Sequence, residues 1–270
     1  MMLVIALVTY WIIGAIAGML AGLLGVGGGL FIVPMLLFIL PLTGVQSEQL
    51  MTIAVASSLA TIVFTSIASV RAHHLARKVH WDIVKAWIPG LILGAIIGVL
   101  IADMAPQEFP KTLFGLCALA VAWKMMSAVR HVRPMEASTP RIPKKPWQYL
   151  HATWIATASS LIGIGGGAFS VPLLKQWRVP INEAVATSSA IGLPLSIAAT
   201  ISFIVIGWDQ QELPNYTFGY LYWPAIIGIV SSSVIFAPLG AKLAHRISKS
   251  KLSALFALFL LIVGLKIILD

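Results

Sequence analysis

Seven apolar runs decide what this chain can become. Residues 2–24, 50–70, 86–102, 110–129, 184–206, 218–239 and 252–269 are each long and apolar enough to cross a bilayer as helix. A hydrocarbon core of about 30 Å takes roughly 20 helical residues. Composition agrees: the 270 residues are 59% apolar and 10% charged. Soluble domains carry about 25% charge, and a globule of this size could not hide so much apolar surface from water. The chain reads as an all-α polytopic membrane protein. A soluble enzyme, a nucleic-acid-binding domain and a disordered chain are excluded together.

The first run has no basic stretch before it and continues into a glycine cluster, so it is expected to be an uncleaved span rather than a signal peptide. Charge then gives orientation. The 18 Lys+Arg outnumber the 9 Asp+Glu, a formal +9, but the cations gather in short loops and imply no nucleic-acid partner. Loop 71–85 holds Arg71, Arg77, Lys78 and Lys85. The proline-rich linker 130–147 holds Arg130, Arg133, Arg141, Lys144 and Lys145. Loop 242–251 holds Lys242, Arg246, Lys249 and Lys251. The positive-inside rule places all three in the cytoplasm. Loops 43–49, 103–109 and 207–217, with Glu48, Asp103, Glu108, Asp209 and Glu212, then face outward.

The two halves resemble each other. Leu24-Gly25-Val26-Gly27-Gly28-Gly29-Leu30-Phe31-Ile32-Val33-Pro34 aligns with Ile162-Gly163-Ile164-Gly165-Gly166-Gly167-Ala168-Phe169-Ser170-Val171-Pro172. Ala54-Val55-Ala56-Ser57-Ser58 aligns with Ala184-Val185-Ala186-Thr187-Ser188, and Gly98 with Gly240, in the same order. Residues 1–129 are read as a first membrane repeat, 130–147 as a cytoplasmic linker and 148–270 as a second repeat. The loop after Ala-Val-Ala-Ser-Ser is basic, whereas the loop after Ala-Val-Ala-Thr-Ser is acidic. Matching loops on opposite sides of the membrane are the mark of inverted-topology repeats. Residues 148–162 and 168–174 rise only about 22 Å and 10 Å as helix. Each repeat is therefore expected to open with a glycine-broken helical hairpin, re-entrant or a short tilted pair, followed by three transmembrane helices.

Three readings compete for the glycines. Gly163-x-Gly165-x-x-Ala168 formally matches a dinucleotide fingerprint, but no βαβ unit surrounds it. Small residues also let membrane helices approach closely. The third reading is a ligand site. Irregular backbone at membrane depth is tolerated where it is buried in protein or lines a wet cavity. A glycine run before a half-helix aims unpaired N–H groups and the positive helix end at one point, which favours an anion. Gly25, Gly27, Gly28, Gly29, Gly163, Gly165, Gly166 and Gly167 are the backbone candidates. Ser57, Ser58, Thr187, Ser188 and Ser189 are uncharged hydroxyl candidates, with helix–helix contact as their competing role. Pro34 and Pro172 are expected to set the bend after each break.

The doubled Gly-x-Gly-Gly-Gly…Phe-x-Val-Pro with Ala-Val-Ala-[Ser/Thr]-Ser resembles the sulfite exporter TauE/SafE family. So do Arg71-Ala72-His73, Val79-His80-Trp81 and Leu239-Gly240-Ala241-Lys242-Leu243-Ala244. The resemblance covers the chain apart from the linker. It implies transport of sulfite, organosulfonates or related sulfur-containing anions across a bacterial inner membrane.

Ionisable residues within the spans are few. Lys124 and Lys266 lie near span ends, where they can snorkel. Glu183 opens a helix. His73, His74 and His80 flank the basic loop, and His151 is the best candidate proton relay by its place inside an apolar segment. Cys117 stands alone and reads as a small buried hydrophobe. No catalytic set, metal-ligand spacing or nucleotide motif appears, so neither an enzyme nor a cofactor is expected. The expected function is a secondary transporter of a small anion, with protons as a candidate coupling ion. A passive anion channel, a small-carboxylate transporter on the same scaffold and a partner-anchoring subunit are the rivals.

Overall fold

The computed structural model describes residues 2–24, 28–45, 47–130, 140–210, 213–243 and 249–269. Gly25, Gly27, Arg133, Glu136, Glu212 and Arg246 lie outside the described residues. Each apolar run becomes helix. The first half comprises α1 (Met2–Leu24), α2 (Gly29–Leu42), α3 (Leu50–Leu75), α4 (Trp81–Met104) and α5 (Glu108–Arg130). The second comprises α6 (Lys145–Ile162), α7 (Gly167–Gln176), α8 (Ile181–Ile206), α9 (Trp223–Leu243) and α10 (Lys249–Leu269).

Among the described residues, five helices are long and apolar enough to cross a membrane: the segments Ala6–Leu23, Leu50–Leu75, Trp81–Met104, Ile181–Ile206 and Trp223–Gly240. The expected crossing 252–269 falls on the shorter apolar helix Ser253–Leu269. The crossing expected at 110–129 lies in α5, which is not among the five over its described part. One boundary needs correction. The span expected to begin at 218 begins at Trp223, because Thr217–Phe218 (β1) and Leu221–Tyr222 (β2) form a small antiparallel hairpin, Thr217 opposite Tyr222. Gly219, with φ +56, makes its turn, a conformation that costs glycine little.

Helix faces are sorted in the sense a bilayer demands. On α4, Ile92, Leu93, Ile96, Ile97, Leu100 and Ile101 point outward, while Gly90, Leu91, Gly94, Ala95, Gly98 and Val99 are buried. On α3 the buried side includes Ser57, Ser58, Thr61, Thr65, Ser66 and Ser69. Large aliphatic side chains outside and small or hydroxyl side chains inside suit lipid as solvent, where helices associate by close packing rather than by escape from water. A Cβ at Gly90, Gly94 or Gly98 would fall within 3 Å of α6 atoms around Tyr149, Thr153 or Thr157. Gly14 and Gly18 of α1 meet the backbone of Ile229 and Ser233 on α9 in the same way.

The pairings follow one pattern. α1 packs on α9 and α6 on α4; α3 packs on α8, α5 on α10, α2 on α3 and α7 on α8. The two remaining large contacts, α4 with α8 and α3 with α9, also exchange when the halves are swapped. A pair of hydrogen bonds repeats the exchange at the centre. Ser57 Oγ accepts the backbone N–H of Tyr222, the residue before α9, at 3.0 Å. Thr187 Oγ1 accepts the backbone N–H of His80, the residue before α4, also at 3.0 Å.

Candidate functional site

The two glycine breaks have matching backbone geometry. Gly28 stands before α2 with φ 75 and ψ −19, and Gly166 before α7 with φ 78 and ψ −18. An L side chain in this left-handed region costs about 1–2 kcal/mol. The Gly28 carbonyl accepts the N–H groups of Phe31 and Ile32; the Gly166 carbonyl accepts those of Phe169 and Ser170. Pro34 and Pro172 lie inside α2 and α7, which stay helical through them. The breaks themselves rest on glycine.

The breaks touch. A Cβ on Gly29 would overlap the carbonyl oxygen of Gly163 and sit 3.0 Å from Ile164 Cα. One on Gly163 would sit 2.6 Å from Val33 Cγ2 and 3.1 Å from Val55 Cα. Ser58 Oγ donates to the Gly163 carbonyl at 3.0 Å, tying α3 to the second break. At Gly29 and Gly163, then, bare backbone permits close approach of protein to protein.

Gly165 has different surroundings. It lines a cavity of about 10 Å³ with Ala21 of α1, Thr65, Ser66 and Ser69 of α3, and Ser188 and Ser189 of α8. That volume holds about one water, so a sulfur oxyanion enters only if the helices part. Every polar group in the lining is neutral. Ser188 Oγ lies 2.7 Å from Ser170 Oγ, Ser69 Oγ donates to Ser189 Oγ at 3.5 Å, and Thr65 Oγ1 donates to the Thr61 carbonyl at 2.7 Å. Beside it, the fully buried Ser159 Oγ has no hydrogen-bond partner and lies 3.9 Å from the position of a Cβ on Gly166. With the Phe169 and Ser170 N–H groups taken by the Gly166 carbonyl, those of the buried Gly167 and of Ala168 have no acceptor within the helix, and the dipole adds positive potential there.

The structure thus joins Gly165, Ser188 and Ser189, places Gly166 and Gly167 at the adjoining helix start, puts Gly29, Gly163 and Ser58 at the contact between breaks, and turns Gly28 toward Ala17 of α1. Ser57 and Thr187 hold the starts of α9 and α4. Thr65, Ser66 and Ser69 did not figure among the sequence candidates. Their signal was the recurrence of hydroxyls along an apolar helix at 61, 65 and 69.

Titratable groups pair at the helix ends. His80 Nε2 lies 2.6 Å from Glu183 Oε2, both side chains about one-third exposed. His151, expected inside an apolar segment, sits in the second turn of α6, which begins at Lys145. Its Nδ1 is 2.6 Å from the Trp147 carbonyl, and its ring meets Trp177 edge-on. On the hairpin, Tyr220 donates to Asp103 Oδ1 at 2.6 Å. Burial chiefly, with the Asp103 hydrogen bond and charge adding to it, pushes the Tyr220 phenol above its ordinary range.

Paired helical halves, lipid-adapted faces and a small polar cavity at the second glycine break suit a multi-pass membrane transporter. The chain belongs to the sulfite exporter TauE/SafE family, whose sequence pattern matches residues 10–267. It is 36% identical over 258 residues to a probable membrane transporter protein of Haemophilus influenzae, covering 96% of both chains. It is 28% identical over 260 residues to a probable membrane transporter protein of Methanocaldococcus jannaschii, covering 96% of this chain and 94% of the relative. A probable inner membrane transporter protein, TsaS, of Comamonas testosteroni is 24% identical over 191 residues, 71% of this chain and 73% of that one. No solved structure matches the chain significantly.

Proposed function

We propose that the protein is a secondary transporter of a small sulfur-containing oxyanion, sulfite or an organosulfonate, in the cytoplasmic membrane. Alternating access between two inverted halves is its mechanism. The observation that carries this reading is the cavity at Gly165, where neutral hydroxyls converge beside the start of α7. N–H and O–H donors at a positive helix end suit a negative charge, and with no lysine or arginine in the lining the hold is weak enough to release. Desolvating an anion is expensive, so the hydroxyls, whose protons here go to carbonyls and to one another, must turn toward the anion for passage to be tolerable. Gly25, Gly27, Gly28 and Gly29 are proposed to serve the site from the opposite side.

Several features support inverted halves: the exchange symmetry of the helix pairs, the twin bonds Ser57–Tyr222 and Thr187–His80, and the opposite charge of matching loops. The same charges favour a cytoplasmic linker. The small volume of the cavity, about 10 Å³, favours a carrier over a standing pore. Membrane potential or a coupled proton would drive it, and His80–Glu183 is the best-placed proton site.

Purified protein in liposomes tests this by flux of labelled sulfite, sulfate, thiosulfate, taurine and small carboxylates. Acceleration of sulfite or sulfonate uptake by preloaded unlabelled anion is expected of a carrier. Uptake indifferent to preloading would indicate a channel, and exclusive carboxylate flux would replace the substrate class.

A further inference from the structure

We infer that the protein holds a second anion site, a basic vestibule at the end of α3 through which the oxyanion reaches the cavity. The inference rests on the transport reading above. A cleft of about 550 Å³ lies between the last turns of α3, the turn that follows it and the end of α9. Arg71, His73, Lys78 and Lys242 line it, with Ala72 and Pro238, and among the described residues no acidic side chain contributes. A concave surface carrying one sign of charge concentrates counter-ions and raises their on-rate.

Its position is as telling as its charge. Thr65 and Ser69 line the central cavity, while Ala72 and Ala76 line the cleft. Steps of four, three and four residues keep these side chains on one face of α3. On α3 itself that face carries only small groups between the two spaces, and Ser69 to Ala72 is a rise of about 4.5 Å. The division of labour is physical. Neutral donors at the centre bind weakly and let go; fixed cations at the mouth raise the local concentration that a weak site needs.

A lipid phosphate is the other anion this cleft could meet, and the experiment separates the two. The full-length protein is compared with R71Q/K78Q/K242Q, in neutral detergent for equilibrium binding of labelled sulfite and in phosphatidylcholine liposomes for flux. The vestibule predicts binding about tenfold weaker in the variant, with most of its salt dependence gone. KM rises by a similar factor while kcat stays within twofold. R71K/K78R/K242R, which keeps the charges, should restore both and controls for folding. Equal affinity and salt dependence in wild type and R71Q/K78Q/K242Q, or no sulfite binding by either, would overturn the site. So would displacement of sulfite by phosphatidylglycerol micelles combined with unchanged KM, which assigns the cleft to lipid. Charge-dependent binding without flux of any sulfur oxyanion would leave the vestibule standing and sink the transport reading instead.

Discussion

The carbonyl oxygen of Gly163 occupies the place where a side chain on Gly29 would begin. The two broken helices are in backbone contact, one from each half, and any added atom must push them apart. Gly29→Ala is therefore expected to destabilise by about 1–3 kcal/mol or more, as overpacking does. Gly44→Ala is the control. Gly44 also has positive φ, at 86, but nothing lies near its would-be Cβ, so it pays only the left-handed cost of about 1–2 kcal/mol. Thermal unfolding in detergent should rank Gly29→Ala as the less stable protein; the reverse order would contradict the contact.

Ser57→Ala and Thr187→Val remove the twin acceptors of the Tyr222 and His80 N–H groups. Leaving a buried donor unpaired costs about 1–3 kcal/mol. Tyr222 is buried and His80 is partly exposed, so Ser57→Ala should cost more. Unfolding midpoints of the two variants, each beside wild type, check the size and the order.

Tyr220 and Asp103 set a limit on the alkaline side. Burial and the nearby carboxylate hold the Tyr220 phenol above its ordinary value of 10.0. The proton-bound form is the one the fold favours. Its stabilisation is fully present below pH 10 and declines as pH climbs toward the higher folded-state value. A hydrogen bond to a charged group contributes about 1.5–3 kcal/mol. Melting curves of wild type and Tyr220→Phe should differ by a constant amount at pH 7–9 and converge above pH 10.

His80 and Glu183 join α8 to the turn before α4, across the two halves. If the pair takes up the coupling proton, His80→Gln and Glu183→Gln abolish stimulation of flux by a pH gradient and leave flux driven by membrane potential intact. Gradient stimulation surviving in both variants would remove the pair from the coupling step.

The helices and the glycine breaks were legible because lipid imposes a simple code: long apolar runs for spans, interruptions where function or contact needs bare backbone. The doubling of the motif foretold that Gly28 and Gly166 would share one conformation. Pairings across the chain were not legible. His80 meets Glu183, and Tyr220 meets Asp103, through a tertiary arrangement that no local spacing encodes. The start of α6 was not legible either, because Lys145 and Pro146 look like linker yet form its first turn. Thr65, Ser66 and Ser69 lie outside the repeated motif that marks Ser57 and Ser58, whereas burial on α3 follows the helix face.

The most direct measurement is counterflow of labelled sulfite into proteoliposomes by wild type, Gly165→Val and Ser189→Val, with the lipid-facing Phe64→Leu as control. Uptake accelerated by preloaded sulfite is expected in wild type and in Phe64→Leu, and uptake at least tenfold slower in the two cavity variants despite normal insertion. Undiminished counterflow in both cavity variants would show that the oxyanion passes somewhere other than the space beside Gly165.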